Sequence, residues 1–178
     1  REYIMDIFEA LCGNPITYNY VRIGGVAQDW TDELSAMTTA YLDHLEPTID
    51  EINRLISYNR LYQERTINVA PIDAKMAVAY GLVGPNLRAS GVDWDLRRDE
   101  PYGLYSEVFE GMEKAGRPFQ VPIGENGDCY DKYMVRIHEM EESCAIVRAV
   151  LPLLDECKGE PIKAPMKRMF KPPVGECY

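Results

Sequence analysis

The residues of this chain whose types and spacing are best suited to chemistry are arginines set among carboxylates. The densest cluster consists of Arg88, Asp93, Asp95, Arg97, Arg98 and Asp99. Arginine bonds carboxylate and carbonyl oxygens bidentately, so clusters of this kind hold irregular backbone in place through charge-assisted hydrogen bonds. The cluster therefore predicts a rigid polar network and does not by itself indicate a reaction.

Metal binding has little support in the sequence. Only two histidines are present, His44 and His138, and the flanking pattern places both at or near the polar face of a helix. The acidic stretch 93–100 resembles a calcium loop, but Arg97 occupies the position of an oxygen ligand and the glycine of the turn is missing. The widely spaced cysteines include no Cys-x-x-Cys pair, which indicates reduced thiols. They are Cys12, Cys129, Cys144, Cys157 and Cys177.

The sequence also lacks a motif for covalent catalysis or for phosphate binding. No serine or cysteine lies in a glycine elbow or beside a candidate base. Among the 29 acidic residues, no spacing singles out a pair for acid–base work. Gly24-Gly25 and the stretch 124–127 lack the context of a phosphate loop and are interpreted as turns. The residues alone predict a helical scaffold with a rigid polar loop region.

Composition and charge limit the class of protein. The chain has 178 residues, and its 19 basic against 29 acidic side chains give a net charge of −10. This length predicts one domain, 1–178, and the 46% of apolar residues predicts a folded core. The acidic balance argues against a nucleic-acid partner, because phosphate binding needs a concentrated basic surface. The one basic cluster, within 163–171, is interpreted as a solvated tail, and no apolar run is long enough to span a bilayer.

Apolar periodicity predicts the elements that must position these residues. Long amphipathic helices are expected at 30–58 and 129–156, each with a stripe of apolar positions three and four apart, which in the first helix ends at Ile56. Asp29 is the expected N-cap of the first helix, and Pro47 is expected to kink or break it. The two helices are expected to bury their apolar faces against each other.

Shorter elements complete the predicted fold, which is mainly α with minor strands. We expect a helix at 2–12, a strand at 17–23 and a short helix capped by Asp73. The region 84–128 carries Gly, Pro, Asp or Asn every few residues and is predicted to be irregular. The stretch 157–178 is predicted to be an extended, proline-rich tail.

Several long motifs, in order along the chain, carry a specific resemblance. They are YVRIGGVAQD at 20–29, Asn59-Arg60, Glu64-Arg65-Thr66, GPNLRASGVDWDLR at 84–97, Pro101-Tyr102, GDCYDKY at 127–133, Arg136 and Glu139. With these motifs the chain resembles the D subunits of respiratory complex I, a family related to the large subunit of nickel–iron hydrogenases. The resemblance is strong over 18–105 and 119–145, and weaker at 1–17, 106–118 and 157–178.

The resemblance implies a hydrogenase-like helical bundle and a role in electron transfer. In that family, electrons pass from the last iron–sulfur cluster, held by a neighbouring small subunit, to a quinone bound between that small subunit and the hydrogenase-like one. The implied complex uses iron–sulfur clusters, quinone, and NADH or another low-potential donor, and translocates protons. Its implied partners are the iron–sulfur small subunit, other peripheral-arm subunits and a membrane subunit with the quinone channel, on the cytoplasmic side of the cell membrane.

The resemblance transfers no catalytic residue and no bound cofactor to this chain. The matched segment is interpreted as the middle of a longer chain, without the quinone-contacting residues of the family. Alone it is expected to be inactive and to self-associate through apolar faces that lack their partners.

The candidate site residues fall into two groups. By resemblance, the interface with the cluster-bearing subunit is formed by Thr17, Arg22, Gly24 and Gly25. Structural polar networks are assigned to Arg88, Asp95, Arg97, Asp128, Tyr130, Arg136 and Glu139. Buried groups of this kind are tolerated only when they are paired.

Thr17 marks a departure from the family. Many members have Arg-Met-His at this point, and that His lies beside the final cluster and couples its reduction to a proton. This sequence has Pro15-Ile16-Thr17. Because Thr17 does not titrate near neutral pH, we expect the neighbouring cluster to have a lower, pH-independent potential, and the donor need not be NADH.

Two other functions stay open on the sequence. The first is the large subunit of a membrane-bound, energy-converting nickel–iron hydrogenase, which shares the Arg-Ala-Ser-Gly, Arg-Arg-Asp and Pro-Tyr elements. Trp94 and the Gly-Asp-Cys-Tyr-Asp stretch favour the quinone reductase instead. The second is a non-catalytic helical scaffold that works independently.

Overall fold

The structure is a computed structural model that describes residues 2–165 and 174–175. Its helices are α1 Glu2–Cys12, α2 Asp32–Ile52, α3 Arg60–Thr66, α4 Ala74–Ala79, α5 Gly84–Ala89, α6 Leu96–Asp99, α7 Tyr105–Lys114 and α8 Cys129–Glu156. A π-helical turn, Asn53–Ser57, continues α2, and β1 Val21–Arg22 pairs antiparallel with β2 Gly25–Val26. The predicted mainly helical fold with minor strands is confirmed. No helix in the described part of the chain has the length and apolar character needed to cross a membrane.

The chain forms two compact units, which we describe separately. The first unit comprises residues 1–41 and 154–178, and the second comprises 42–153. Ile7 and Leu11 of α1 pack against Leu34 of α2 in the first unit. Val108 and Met112 of α7 pack against Ala145 of α8 in the second. The prediction of a single domain stays a prediction.

The two long helices lie where the apolar periodicity predicts them, but the start of the first differs. The N-cap is Thr31, whose Oγ1 accepts a hydrogen bond from the Leu34 backbone N–H at 3.3 Å. Asp29, the predicted cap, accepts from the adjacent Trp30 N–H at 2.8 Å instead. Its carboxylate lies too early in the chain to satisfy the first turn of α2, which begins at Asp32.

Pro47 does not break α2, which runs through it from Asp32 to Ile52, so a break at this residue is wrong and a kink stays a prediction. A proline removes one backbone hydrogen bond and crowds the preceding turn. The turns on both sides are fixed by buried apolar side chains, since Leu42 and Ile49 are almost fully buried. We infer that this packing outweighs the lost bond. Similarly, α8 continues through Pro152 to Glu156.

The π-helical turn changes which residues at the end of α2 face the core. The apolar stripe predicts a buried Ile56, but Ile56 is 42% exposed. Asn53 and Ser57 are buried in its place. A π-helical turn holds more residues per turn than an α-helix and so rotates the following side chains.

The region 84–128 contains three helices, so its predicted irregularity is wrong. Gly84-Pro85 opens α5, where proline suits the first turn of a helix. Asp95 caps α6 by accepting from the Arg97 N–H at 3.0 Å. In α7, Val108 and Met112 lie four apart on a buried face. The Gly, Pro and Asp residues taken for loop signals mark the ends of these short helices.

The predicted tail at 157–178 is ordered at its start. Lys163 forms a β-bridge with Gly25, and Lys158 pairs with Asp32 and Asp155. The remainder of the prediction, at 166–173 and 176–178, lies outside the described residues.

Candidate functional site

The predicted interface residues lie on the loop and hairpin that follow α1, in the first unit. Asn14 holds Thr17 in this loop, because its Nδ2 donates to Thr17 Oγ1 at 2.7 Å. Thr17 and Arg22 are exposed to solvent. Val21 and Ile23, on either side of Arg22, are 80% and 74% exposed. An arginine between two exposed apolar side chains is a surface suited to contact another protein.

Gly25 is required by a close approach of the chain's own backbone. Its φ is +152°, and a Cβ at this position would lie 2.1 Å from the carbonyl oxygen of Ile162. Two hydrogen bonds fasten the same contact, from Val26 N–H to Ile162 O at 3.1 Å and from Ala164 N–H to Gly24 O at 2.8 Å. The close approach at Gly24-Gly25 is thus made by residues 162–164 of this chain, and the interface with a neighbouring subunit stays a prediction.

The predicted polar network is centred on Arg88 in the second unit. Arg88 is 5% exposed, and its guanidinium binds the carboxylate of Glu139 on α8. It also contacts Asp95 at 3.3 Å and donates to the carbonyl oxygen of Trp94 at 3.2 Å. These contacts join α5, the segment before α6, and α8. A buried charge of this kind is tolerated because opposite charges surround it.

Arg97 completes the network from the other side of Asp95. Its Nε and Nη2 donate to the two carboxylate oxygens of Asp95 at 2.9 and 2.6 Å. The guanidinium also lies 5.1 Å from the centre of the Phe119 ring, a cation–π contact that the sequence did not suggest. Arg97 Nη2 lies 4.0 Å from Glu139 Oε1. Two arginines thus balance two carboxylates.

The network sets the charge state of Asp95. Burial acts to raise the pKa of Asp95, but the hydrogen bonds from Arg97 and the charges of Arg97 and Arg88 outweigh it. The pKa of Asp95 consequently lies below its ordinary value. The hydrogen bond with Asp95 raises the pKa of Arg97 above its ordinary value. Both groups are held in their charged forms, which suits a structural ion pair and does not suit proton transfer.

Asp128 joins the start of α8 to a distant segment. It is 1% exposed, and its carboxylate accepts from the Asn68 N–H at 2.7 Å and the Asp131 N–H at 2.9 Å. The preceding Gly127 has a φ of +64°, and a Cβ there would lie 2.0 Å from the carbonyl oxygen of Ile72. The loop before α8 is therefore clamped on the segment 68–72.

Tyr130 and Arg136 make separate contacts along α8. The Tyr130 hydroxyl donates to the Ser57 carbonyl oxygen at 3.1 Å. Arg136 Nη2 donates to Asn86 Oδ1 of α5 at 3.0 Å. The structure therefore unites Arg88, Asp95, Arg97 and Glu139 in one network. It places Asp128, Tyr130 and Arg136 in neighbouring contacts of the same unit.

Sequence reasoning missed a second buried polar group at the π-helical turn. Ser57 is fully buried and donates to Asn53 Oδ1 at 2.7 Å. Ser57 Oγ and the Tyr133 hydroxyl share a hydrogen bond at 3.1 Å. The available signal was the pair of polar residues four apart, Asn53 and Ser57, in a segment otherwise assigned to an apolar face.

The described residues offer no metal centre. No three His, Cys, Asp or Glu side chains among them lie close enough together to hold an ion. Asp93 and Asp99, in the stretch that resembles a calcium loop, pair with Arg98 at 2.8 and 2.9 Å. Their carboxylates are therefore engaged by an arginine.

Comparison with known proteins agrees with the motifs. The family model described as "Respiratory-chain NADH dehydrogenase, 49 Kd subunit" matches residues 1–178. The D subunit of the NADH-quinone oxidoreductase of Clostridium beijerinckii is 42% identical over 178 residues, which cover 100% of this chain and 45% of that protein. One of the D subunits of the same enzyme in Anaeromyxobacter sp. strain K is 49% identical over 181 residues, which cover 99% of this chain and 45% of that protein.

A solved structure is similar in fold as well as in sequence. It is that of the membrane-bound sulfane sulfur reductase, an archaeal respiratory membrane complex. The match has a TM-score of 0.80 and 28% identity, and covers 91% of this chain and 41% of the other. The chain spans a little under half the length of the curated relatives it matches. The resemblance seen in the motifs is thus confirmed, and the chain belongs to the family of the respiratory-chain NADH dehydrogenase 49 Kd subunit.

Proposed function

We propose that this chain is part of the D subunit of an NADH–quinone oxidoreductase, the subunit that helps to form the quinone reduction site. The observation that carries this proposal is the match of the whole chain to proteins of that name at 42% and 49% identity. The chain supplies scaffold and interface to this site. Catalytic residues are not assigned to it.

The hairpin 21–26 is the part we assign to the cluster-bearing small subunit. Arg22 and its exposed apolar neighbours, Val21 and Ile23, support this assignment, since they present a mixed apolar and cationic surface. The pairing of Gly25 with residues 162–164 holds the backbone of the hairpin in place. A fixed backbone is an advantage where the distance between redox groups has to be constant.

We assign to the Arg88 network the role of holding the helices α5, α6 and α8 in a rigid arrangement. It links α5, α6 and α8 through buried ion pairs, and Asp128 links α8 to residue 68. Buried charges that are paired with opposite charges hold a single arrangement of loops, because the alternatives leave charges without partners. The network keeps Asp95 and Arg97 in their charged forms and does not take part in redox chemistry in this proposal.

Thr17 defines the redox character that we propose for the neighbouring cluster. Its hydroxyl is hydrogen-bonded to Asn14 and carries no titratable proton near neutral pH. Reduction of the cluster then takes up no proton at this position, so its potential is low and independent of pH. Such a cluster accepts electrons from NADH or from another low-potential donor.

The partners and location follow from the same assignment. They are the iron–sulfur small subunit, the other peripheral-arm subunits and a membrane subunit with the quinone channel. We place the chain in the peripheral arm, on the cytoplasmic side of the cell membrane, within an oxidoreductase that translocates protons.

The main alternative is an energy-converting hydrogenase. The similarity to the sulfane sulfur reductase shows that the fold also serves other respiratory complexes. The higher identity to the quinone oxidoreductase subunits favours quinone reduction. An independent, non-catalytic scaffold is the second alternative.

Deletion of the gene with complementation separates these functions. Membranes of the deletion strain should lose quinone reduction with NADH or a reduced low-potential protein as donor, and the intact gene should restore it. Loss of hydrogen evolution in its place would support the hydrogenase. Retention of both activities in the deletion strain would support the independent, non-catalytic scaffold.

A further inference from the structure

We propose that a groove between α2, α7 and α8 of the second unit binds a basic amphipathic helix from another subunit of the assembly. The inference depends on the proposed role of the chain within a multi-subunit complex. It adds an interface that is separate from the hairpin in the first unit and from the Arg88 network.

The groove has the size and floor of a helix-binding site. Its volume is about 760 Å³. Ile49 of α2, Val108 and Met112 of α7, and Ala145 of α8 form its apolar floor, and all four are buried. A helix that lies in such a groove contributes apolar side chains at intervals of three and four residues.

The rim of the groove is acidic. Glu46, Asp50, Glu107 and Glu141 line it, against Arg117 and Arg148. Both arginines are already engaged by carboxylates of this chain. Arg148 pairs with Glu46 at 2.8 Å and with Asp43 at 2.7 Å, and Arg117 lies 3.6 Å from Glu142.

The remaining rim carboxylates identify the chemistry of the occupant. Within the part of the chain that the structure describes, Asp50, Glu107 and Glu141 form no ion pair. An apolar helix flanked by Lys or Arg would place its cations opposite them. A second copy of this chain is a poor occupant, because its net charge is −10.

Gly111 leaves the α7 wall open to the incoming helix. A Cβ on Gly111 would have no atom within 4 Å, although the residue lines the groove. A partner side chain can therefore lie directly over the backbone of α7.

Photo-crosslinking in the assembled complex tests the proposal. Ala115, an exposed residue of the groove lining, is replaced by p-benzoylphenylalanine in the full-length protein, the complex is isolated and irradiated, and the crosslinked peptides are identified by mass spectrometry. We expect a peptide of another subunit, with apolar residues three and four apart and Lys or Arg beside them. A crosslink to the same polypeptide, to an acidic peptide, to a small molecule, or to nothing would overturn the proposal.

Filling the groove gives a second, independent test. Gly111→Trp should reduce retention of the crosslinked partner in the isolated complex at least about tenfold. Gly111→Ala controls for the change in helix propensity. Glu113→Trp places the same bulk on α7 outside the groove lining. Both control variants should retain the partner. Equal retention in all three variants would contradict the proposal. Quinone reduction that persists while the crosslink fails would leave the proposed function intact and refute only this interface.

Discussion

The guanidinium of Arg88 on α5 binds the carboxylate of Glu139 on α8, although the two residues stand 51 positions apart in sequence. Arg88 also contacts Asp95, so one buried cation fastens three segments of the second unit. Removal of one partner from such an arrangement leaves a buried charge uncompensated, which costs more than the contact itself contributes.

Glu139→Gln should therefore lower the free energy of unfolding by about 3 kcal/mol or more, because Arg88 loses one of its two carboxylate partners and the two arginines of the network are left with one carboxylate. Urea denaturation of the purified protein measures this change. Glu64→Gln is the matched control, since Glu64 pairs with Arg60 at the surface and its loss should have little effect. Equal effects of the two substitutions would show that the Arg88 network is not stabilising.

Asp95 should make the stability of the protein depend on acid pH. Its pKa in the folded protein lies below the ordinary value of 3.8, so its charged form contributes stability at pH values above that value. The contribution is lost as the pH falls through the lower, folded-state pKa. The difference in unfolding free energy between the native protein and Asp95→Asn should shrink steadily below about pH 4. A difference that stays constant from about pH 6 to about pH 3 would contradict this account.

Gly127→Ala should be strongly destabilising for two reasons. The added Cβ would clash with the Ile72 carbonyl oxygen, and alanine would have to adopt the positive φ of Gly127. We expect a loss of about 3 kcal/mol or more in unfolding free energy. Gly116→Ala is the control, since Gly116 has a φ of +82° but nothing within 4 Å of the added Cβ. Its cost should be about 1 kcal/mol. If thermal or urea denaturation shows the two variants to be equal, the clamp on residue 72 does not contribute.

Local patterns in the sequence predict the long helices and the members of the polar network. The apolar spacing defines α2 and α8 because both helices bury one continuous face. Asp73 predicts α4 through its side chain, which accepts from the Met76 N–H at 2.7 Å. The density of arginines and carboxylates between 88 and 99 predicts the Arg88 network. Its partner on α8, Glu139, was assigned through the family motifs.

Features set by distant contacts could not be predicted. The burial of Ser57 depends on Tyr133, 76 positions away. The helix α7 forms although Gly111 lies inside it, because Val108 and Met112 pack on Ala145 of α8. The need for glycine at position 25 comes from Ile162. In each case the decisive neighbour lies far along the chain, where local propensity carries no information about it.

The central claim is that the loop and hairpin after α1 lie beside an iron–sulfur cluster of a neighbouring subunit, with Thr17 at the point that would otherwise hold a proton acceptor. Replacement of Thr17 by a titratable group should then alter the cluster and no other part of the complex. Thr17→Val is the matched control, because it removes the hydrogen bond with Asn14 without adding a titratable group.

A redox titration of that cluster by electron paramagnetic resonance, in the isolated complex between about pH 6 and about pH 8, is the most direct test. We predict a midpoint potential independent of pH for the native protein and for Thr17→Val. For Thr17→His we predict a higher potential that falls by up to about 59 mV per pH unit. A native potential that falls with pH, or a Thr17→His potential identical to the native one, would contradict the account.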